Sequence, residues 1–195
     1  MKIGLTEVII LHDNNTPKEV SESMNKNGKK FFSALKENQA EGEIRITLGA
    51  FGEGFKLYAS DVPVAAVRPV IKNFTNGNGV RNILDSVGSA IIEKGEVYSN
   101  SDESEHPERI VFVLTAFGRD NASKSFTYSQ IADMVAHQSY VYKWKFLCLT
   151  NEPFITEQLG ILPENVIPLE EDEENDFFAD ALDELAVRIK SIINE

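Results

Sequence analysis

The chain has 195 residues, 42% of them apolar and 26% charged, the composition of an ordinary globular domain and not of a disordered or fibrous chain. Its 31 acids against 19 bases leave a net charge of -12, which repels nucleic acid and anionic membranes over most of a surface and argues against both as partners. A single cysteine, Cys148, excludes an intrachain disulfide and suits a reducing cytoplasm, and the start "MKIGLTEVIILHD" matches neither a secretory signal nor a spanning helix.

Along the chain, short β-rich runs alternate with segments of helical period, the pattern of an α/β domain with a mostly parallel sheet. A first strand over Glu7–Leu11 runs into "HDNNTP", and an amphipathic helix over Lys18–Asn38 follows. Strands over Ile44–Phe51 and Phe55–Ala59 are separated only by "GEG", too short for a crossover helix, so they form an antiparallel hairpin and one edge strand runs against the rest. A shorter helical piece near Val64–Lys72 and a polar loop, Thr75–Gly79, lead to a helix over Val80–Lys94. There Ile83, Leu84, Val87, Ile91 and Ile92 recur at spacings of three and four and mark the face that lies on the sheet. The polar loop Tyr98–Glu108 precedes a strand over Arg109–Thr115 and a helix over Tyr128–Tyr140. Next come a strand over Lys145–Leu149, with Cys148 as a core side chain, a short helix over Ile155–Leu159 and a strand over Val166–Leu169. The acidic run Glu170–Asp176 suits the N-terminal end of the last helix, Asp176–Ile193, and reads as a solvated cap. The expected architecture is one domain over residues 1–195: a six-stranded, mostly parallel sheet with one antiparallel edge strand and helices on both faces.

In open sheets of this kind ligands bind at the carboxyl ends of the strands, where strand order reverses. Three distinctive loops fall there, "HDNNTP", "GNGVRN" and "TAFGRDNAS". In that order and spacing, and with the flanking segments "RITLGAFGEGFKLYASDVPVAAV" and "EQLGILPENVIPL", they resemble the von Willebrand factor A (vWA) domain, most closely the stand-alone cytoplasmic type of bacteria and their phages. The resemblance covers roughly residues 5 to 170. It implies a Rossmann-like sheet carrying a metal-ion-dependent adhesion site (MIDAS) built from an Asp-x-Ser-x-Ser loop, a Thr on the second loop and an Asp on the third. Such a site offers a hard cation near-octahedral oxygen ligands, and a partner's carboxylate completes the shell.

Carried over position by position, the first Asp is kept as Asp13, Asn15 stands at the first Ser and Pro17 at the second, Arg81 replaces the Thr, and Phe117 replaces the second Asp. A guanidinium attracts Asp13 and repels a cation, by roughly 4 kcal/mol at about 4 Å in the effective dielectric near a protein surface. The expectation is that Arg81 pairs with Asp13 in place of the metal, with Phe117 covering the pair. The module is then a non-catalytic, protein-binding one that needs no cofactor, and its interaction surface comprises Asp13, Asn14 and Asn15 on the first loop, Arg81 on the second, and Phe117, Arg119 and Asp120 on the third.

Other readings stay open. Arg81 can instead turn to solvent or pair with Asp85 one turn on, and Asp13, Asn15 and Asp120 can rebuild a weak Mg²⁺ or Mn²⁺ site. A structural, self-assembling component of a phage or mobile element is a further class. A metal-dependent phosphohydrolase with Asp13 as nucleophile is disfavoured, because Asn15 lacks the proton that a general acid supplies two residues on. "GAFGEGF" opens a hairpin and not a helix, against a dinucleotide fingerprint, and His12, His106 and His137 have no partner at metal-ligand spacing.

Overall fold

Strand β1 begins at Lys2, well before the apolar run, and ends at Asp13. It lies in the middle of a sheet ordered β3-β2-β1-β4-β5-β6, between β2 (Glu43–Phe51) and β4 (Pro107–Ala116), and is parallel to both. The edge strand β3 (Phe55–Pro63) is antiparallel to β2, as the short link requires, while β5 (Lys145–Thr150) and β6 (Val166–Pro168) continue the parallel part. The computed structural model describes residues 1–37, 42–67, 78–169 and 176–195.

Helices cover both faces, which is why β1 reads as a continuous apolar run and not as an alternating one. Val8 and Ile10 pack with Phe31 and Leu35 of α1 (Lys18–Lys36) and with Phe178, Leu185 and Ile189 of α5 (Phe177–Ile193). Ile9 and Leu11 face the other way, onto α2 (Ile83–Ser99), α3 (Tyr128–Val141) and the short α4 (Pro153–Gln158). Asp176 accepts the Ala179 N–H at 3.2 Å as the cap of α5 and also takes hydrogen bonds from Ser23 and Asn27, which ties α5 to α1. The rest of the acidic run, residues 170–175, lies outside the described residues, as do Asn38, most of the helical piece expected near Val64–Lys72 and the first part of the loop Thr75–Gly79; of that piece, Val64–Ala66 form one 3-10 turn.

Both ends of α2 differ from its expected span. Helix α2 starts three residues later than its periodicity suggests and runs on to Ser99, so Tyr98 is helical and not part of the following loop. Residues Val80 to Asn82 are kept out of the helix by bonds to other loops: the Arg81 N–H donates to Asn121 Oδ1 at 2.7 Å, its carbonyl accepts from the Asn121 and Ala122 N–H groups, and the Asn82 N–H donates to the Gly52 carbonyl. The apolar stripe shifts with it, and Ile92 is 44% exposed while Ala90 takes the inward position. Among the described residues no helix is long and apolar enough to cross a membrane.

Candidate functional site

The strand order reverses between β1 and β4, so the crevice at their carboxyl ends is the place this topology offers a ligand. Asp13, the last residue of β1, is fully buried there. Its Oδ1 accepts the Asn15 N–H at 2.7 Å, and its Oδ2 accepts the Phe117 N–H at 3.0 Å and the Arg81 Nε–H at 2.7 Å. Arg81 reaches across from the second loop with its side chain only 17% exposed, and Nη2 donates to the Asn15 carbonyl at 3.1 Å. Nη1 hydrogen-bonds to none of the described residues. The guanidinium lies against Gly118, where an added Cβ would stand 2.9 Å from Nη1, so any side chain at that position must displace it.

The first loop is itself laced to the second. The Asn15 side-chain oxygen accepts the Gly79 N–H at 2.7 Å and its Nδ2 donates to the Val80 carbonyl at 2.7 Å, while the Asn14 N–H donates to the Phe51 carbonyl. Asn121 completes the lacing, since its Nδ2 donates to the Gly79 carbonyl at 2.8 Å as its Oδ1 holds Arg81.

Phe117 does not cover the ion pair. Its ring turns into the core beside Phe178 and His12, both at 6.2 Å between centroids, and only its backbone N–H reaches Asp13. Asp120 caps α2: Oδ2 accepts the Leu84 N–H at 3.0 Å and the Ser123 hydroxyl at 2.5 Å. Arg119 leans to the β5–α4 loop, 3.2 Å from Glu152 and over the Phe154 ring at 4.5 Å. Asp85, the alternative partner of Arg81, instead accepts the N–H groups of Lys124, Ser125 and Phe126; burial acts to raise its carboxyl, but these donors hold it below the usual range.

As a donor set for a hard divalent cation the crevice falls short. It supplies one carboxylate already holding three donors, a guanidinium, a proline, and an asparagine whose oxygen faces a backbone N–H. Among the described residues no three His, Cys, Asp or Glu side chains are grouped to hold a metal ion. What the arrangement offers a ligand is N–H donors at the end of a neutralised pair.

His12, next to Asp13 and 1% exposed, has its imidazole pushed down to about 4 by burial, against the opposing pull of the Asp13 charge. The unfolded chain takes up this proton near the ordinary value of 6.5, so between 6.5 and about 4 the unfolded state binds more protons. Stability present above pH 6.5 is therefore lost as the pH falls through that window, by roughly 3 kcal/mol in all. Urea unfolding followed across this range should show the loss for the wild type and a flatter profile for His12→Asn; parallel profiles would contradict the assignment.

Sequence reasoning missed Asn121 and Gly118. Asn121 shows no local signal beyond its place in "RDNAS", and the role of Gly118 depends on where Arg81 lies.

No family model matches the chain, and no curated protein matches it significantly. Solved structures do. Proximal thread matrix protein 1 from the mussel byssus matches over 97% of this chain and 48% of its own, at 12% identity and a TM-score of 0.62, so the chain spans about half the length of that protein. The mussel protein is also known with a zinc-occupied MIDAS motif. The vWF domain of the type V pili tip protein Mfa5 from Porphyromonas gingivalis matches over 99% of this chain and 97% of its own, at 9% identity and a TM-score of 0.65. The SpRpn10 VWA domain matches over 92% of this chain and 94% of its own, at 10% identity and a TM-score of 0.53. At such identities the likeness speaks to architecture alone. With its sheet order, its single antiparallel edge and its covered faces, the chain has the Rossmann-like vWA fold.

Proposed function

We propose that the chain is a non-catalytic protein-binding module whose upper crevice is a degenerate MIDAS, with Arg81 seated where vWA domains place their cation. The observation that carries this is the Arg81 Nε to Asp13 Oδ2 contact of 2.7 Å on a carboxylate that is fully buried. A fork-shaped guanidinium bound through Nε and Nη2 keeps Nη1 for a third acceptor, and a carboxylate is the group that matches its planar donors. The ligand is then an acidic side chain of a partner protein, received directly and not through a metal. Arg119, 61% exposed at the rim and paired with Glu152 at 3.2 Å, adds further N–H donors to the approach. A binding role agrees with the pilus-tip and byssal proteins that share the fold.

Calorimetric titration of the wild type with Mg²⁺ and Mn²⁺ should show no binding tighter than millimolar. Arg81→Thr, which removes the guanidinium and restores a hydroxyl at the family's position, should raise Mn²⁺ affinity by about tenfold or more. Submillimolar binding to the wild type overturns the degenerate-site reading. The reciprocal substitution at position 117 is unsuited to this test, because an Asp there would put a carboxylate into the core beside Phe178.

A further inference from the structure

At the amino ends of β1 and β4, the opposite end of the strands from Asp13, lies a second cleft of about 580 Å³, a size usual for small-molecule sites. An acidic and a basic side chain are buried in its wall, Glu7 of β1 at 2% exposure and Lys94 of α2 at 3%. Glu7 Oε1 accepts the Thr47 hydroxyl at 2.6 Å and pairs with Lys94 Nζ, and Oε2 accepts the Tyr98 hydroxyl. Both carboxylate oxygens are thus engaged. The ammonium has three donors, and Glu7 is its one polar partner among the described residues.

The rim shows the complementary surplus. Asp61 holds Arg45 through Oδ1 at 2.6 Å and leaves Oδ2 open, and the Glu105 carboxylate bonds to none of the described residues. Asp61 also sits at a φ of 52°, a conformation that costs a non-glycine residue free energy, and its N–H is held by the same Thr47 hydroxyl at 3.0 Å. The charged lining comprises three bases, Lys2, Arg45 and Lys94, and three acids, Glu7, Asp61 and Glu105, so the cleft is locally neutral on a chain of net charge -12. A buried ion pair adds little net stability over apolar side chains of the same volume. Its place in the wall of an open cleft, with donors to spare, suits ligand binding better than support of the core.

We propose that this cleft binds a small zwitterion of the amino-acid or dipeptide class, its carboxylate on the open N–H groups of Lys94 and its ammonium on Asp61 and Glu105. Spare donors on the floor and spare acceptors at the rim favour a dipolar ligand over an ion of either sign. Glu7 acts as a positioning residue that holds Lys94 in the wall.

Titration of the ¹⁵N-labelled full chain with glycylglycine should give saturable amide shifts at Asp61, Tyr98 and Ser101, with acetate and methylammonium each binding at least about tenfold more weakly and glucose not at all. Glu7→Gln combined with Lys94→Met removes both charges, leaves no orphaned ion and should abolish the shifts. Asp61→Asn, tolerated at the same positive φ, combined with Glu105→Gln on the exposed rim should reduce glycylglycine to the affinity of acetate. The proposal fails if glycylglycine gives no saturable shift, if acetate binds as tightly, or if glucose binds.

Discussion

Glu7→Ala should lower the free energy of unfolding by about 3–5 kcal/mol, because it leaves the Lys94 ammonium in a buried wall without its counter-charge. The Thr47 and Tyr98 hydroxyls lose their acceptor in the same step. Burial, and then the neighbouring Glu7 carboxylate, push the Tyr98 phenol above its ordinary range, so it is a neutral donor across the working pH. Chemical denaturation of the single variant and of Glu7→Leu with Lys94→Met separates two costs. The single change strands a charge, whereas the double change replaces a buried pair by apolar volume and should come within roughly 1 kcal/mol of the wild type. A single variant as stable as the wild type would show that water already reaches Lys94 freely, and the pair would then contribute nothing to the wall.

Asp13→Ala is expected to cost about 3 kcal/mol, since it removes the acceptor of two backbone N–H groups and of a guanidinium that is mostly buried. Arg81→Ala should cost less, because Asp13 keeps the Asn15 and Phe117 N–H groups. The double-mutant cycle should return a coupling of about 1.5–3 kcal/mol, well above that of a surface pair. Because the pair is enclosed, the coupling should persist in high salt, where an exposed contact would be screened. A coupling below about 0.5 kcal/mol would mean that the guanidinium spends little time on Asp13, and the seat attributed to it in the crevice would be lost.

Local features of the chain were enough to define its architecture. The strands and helices follow from apolar runs and from spacings of three and four, and the antiparallel edge follows from a three-residue link that no crossover helix fits. The loops that meet in the crevice follow from the same pattern, because a parallel sheet brings its carboxyl ends to one edge. Asp13 and Arg81 could be brought together on paper because the resemblance to the vWA domain assigns both to positions of its metal site.

The tertiary structure decided what depends on distant partners. The start of α2 is set by Asp120, Asn121 and Ser123 of another loop, which bond to residues 81, 84 and 85 and replace the cap hydrogen bond that the Asn82 side chain does not make. The direction of the Phe117 ring is set by space beside Phe178 on a helix sixty residues on, roughly, and no local propensity encodes that. The Glu7–Lys94 pair joins a strand to a helix 87 positions later, and either residue alone reads as an ordinary surface charge. Periodicity reports which way a side chain faces relative to its own element; which atoms it meets there is a property of packing between elements, and only the folded chain brings those atoms within a few ångströms.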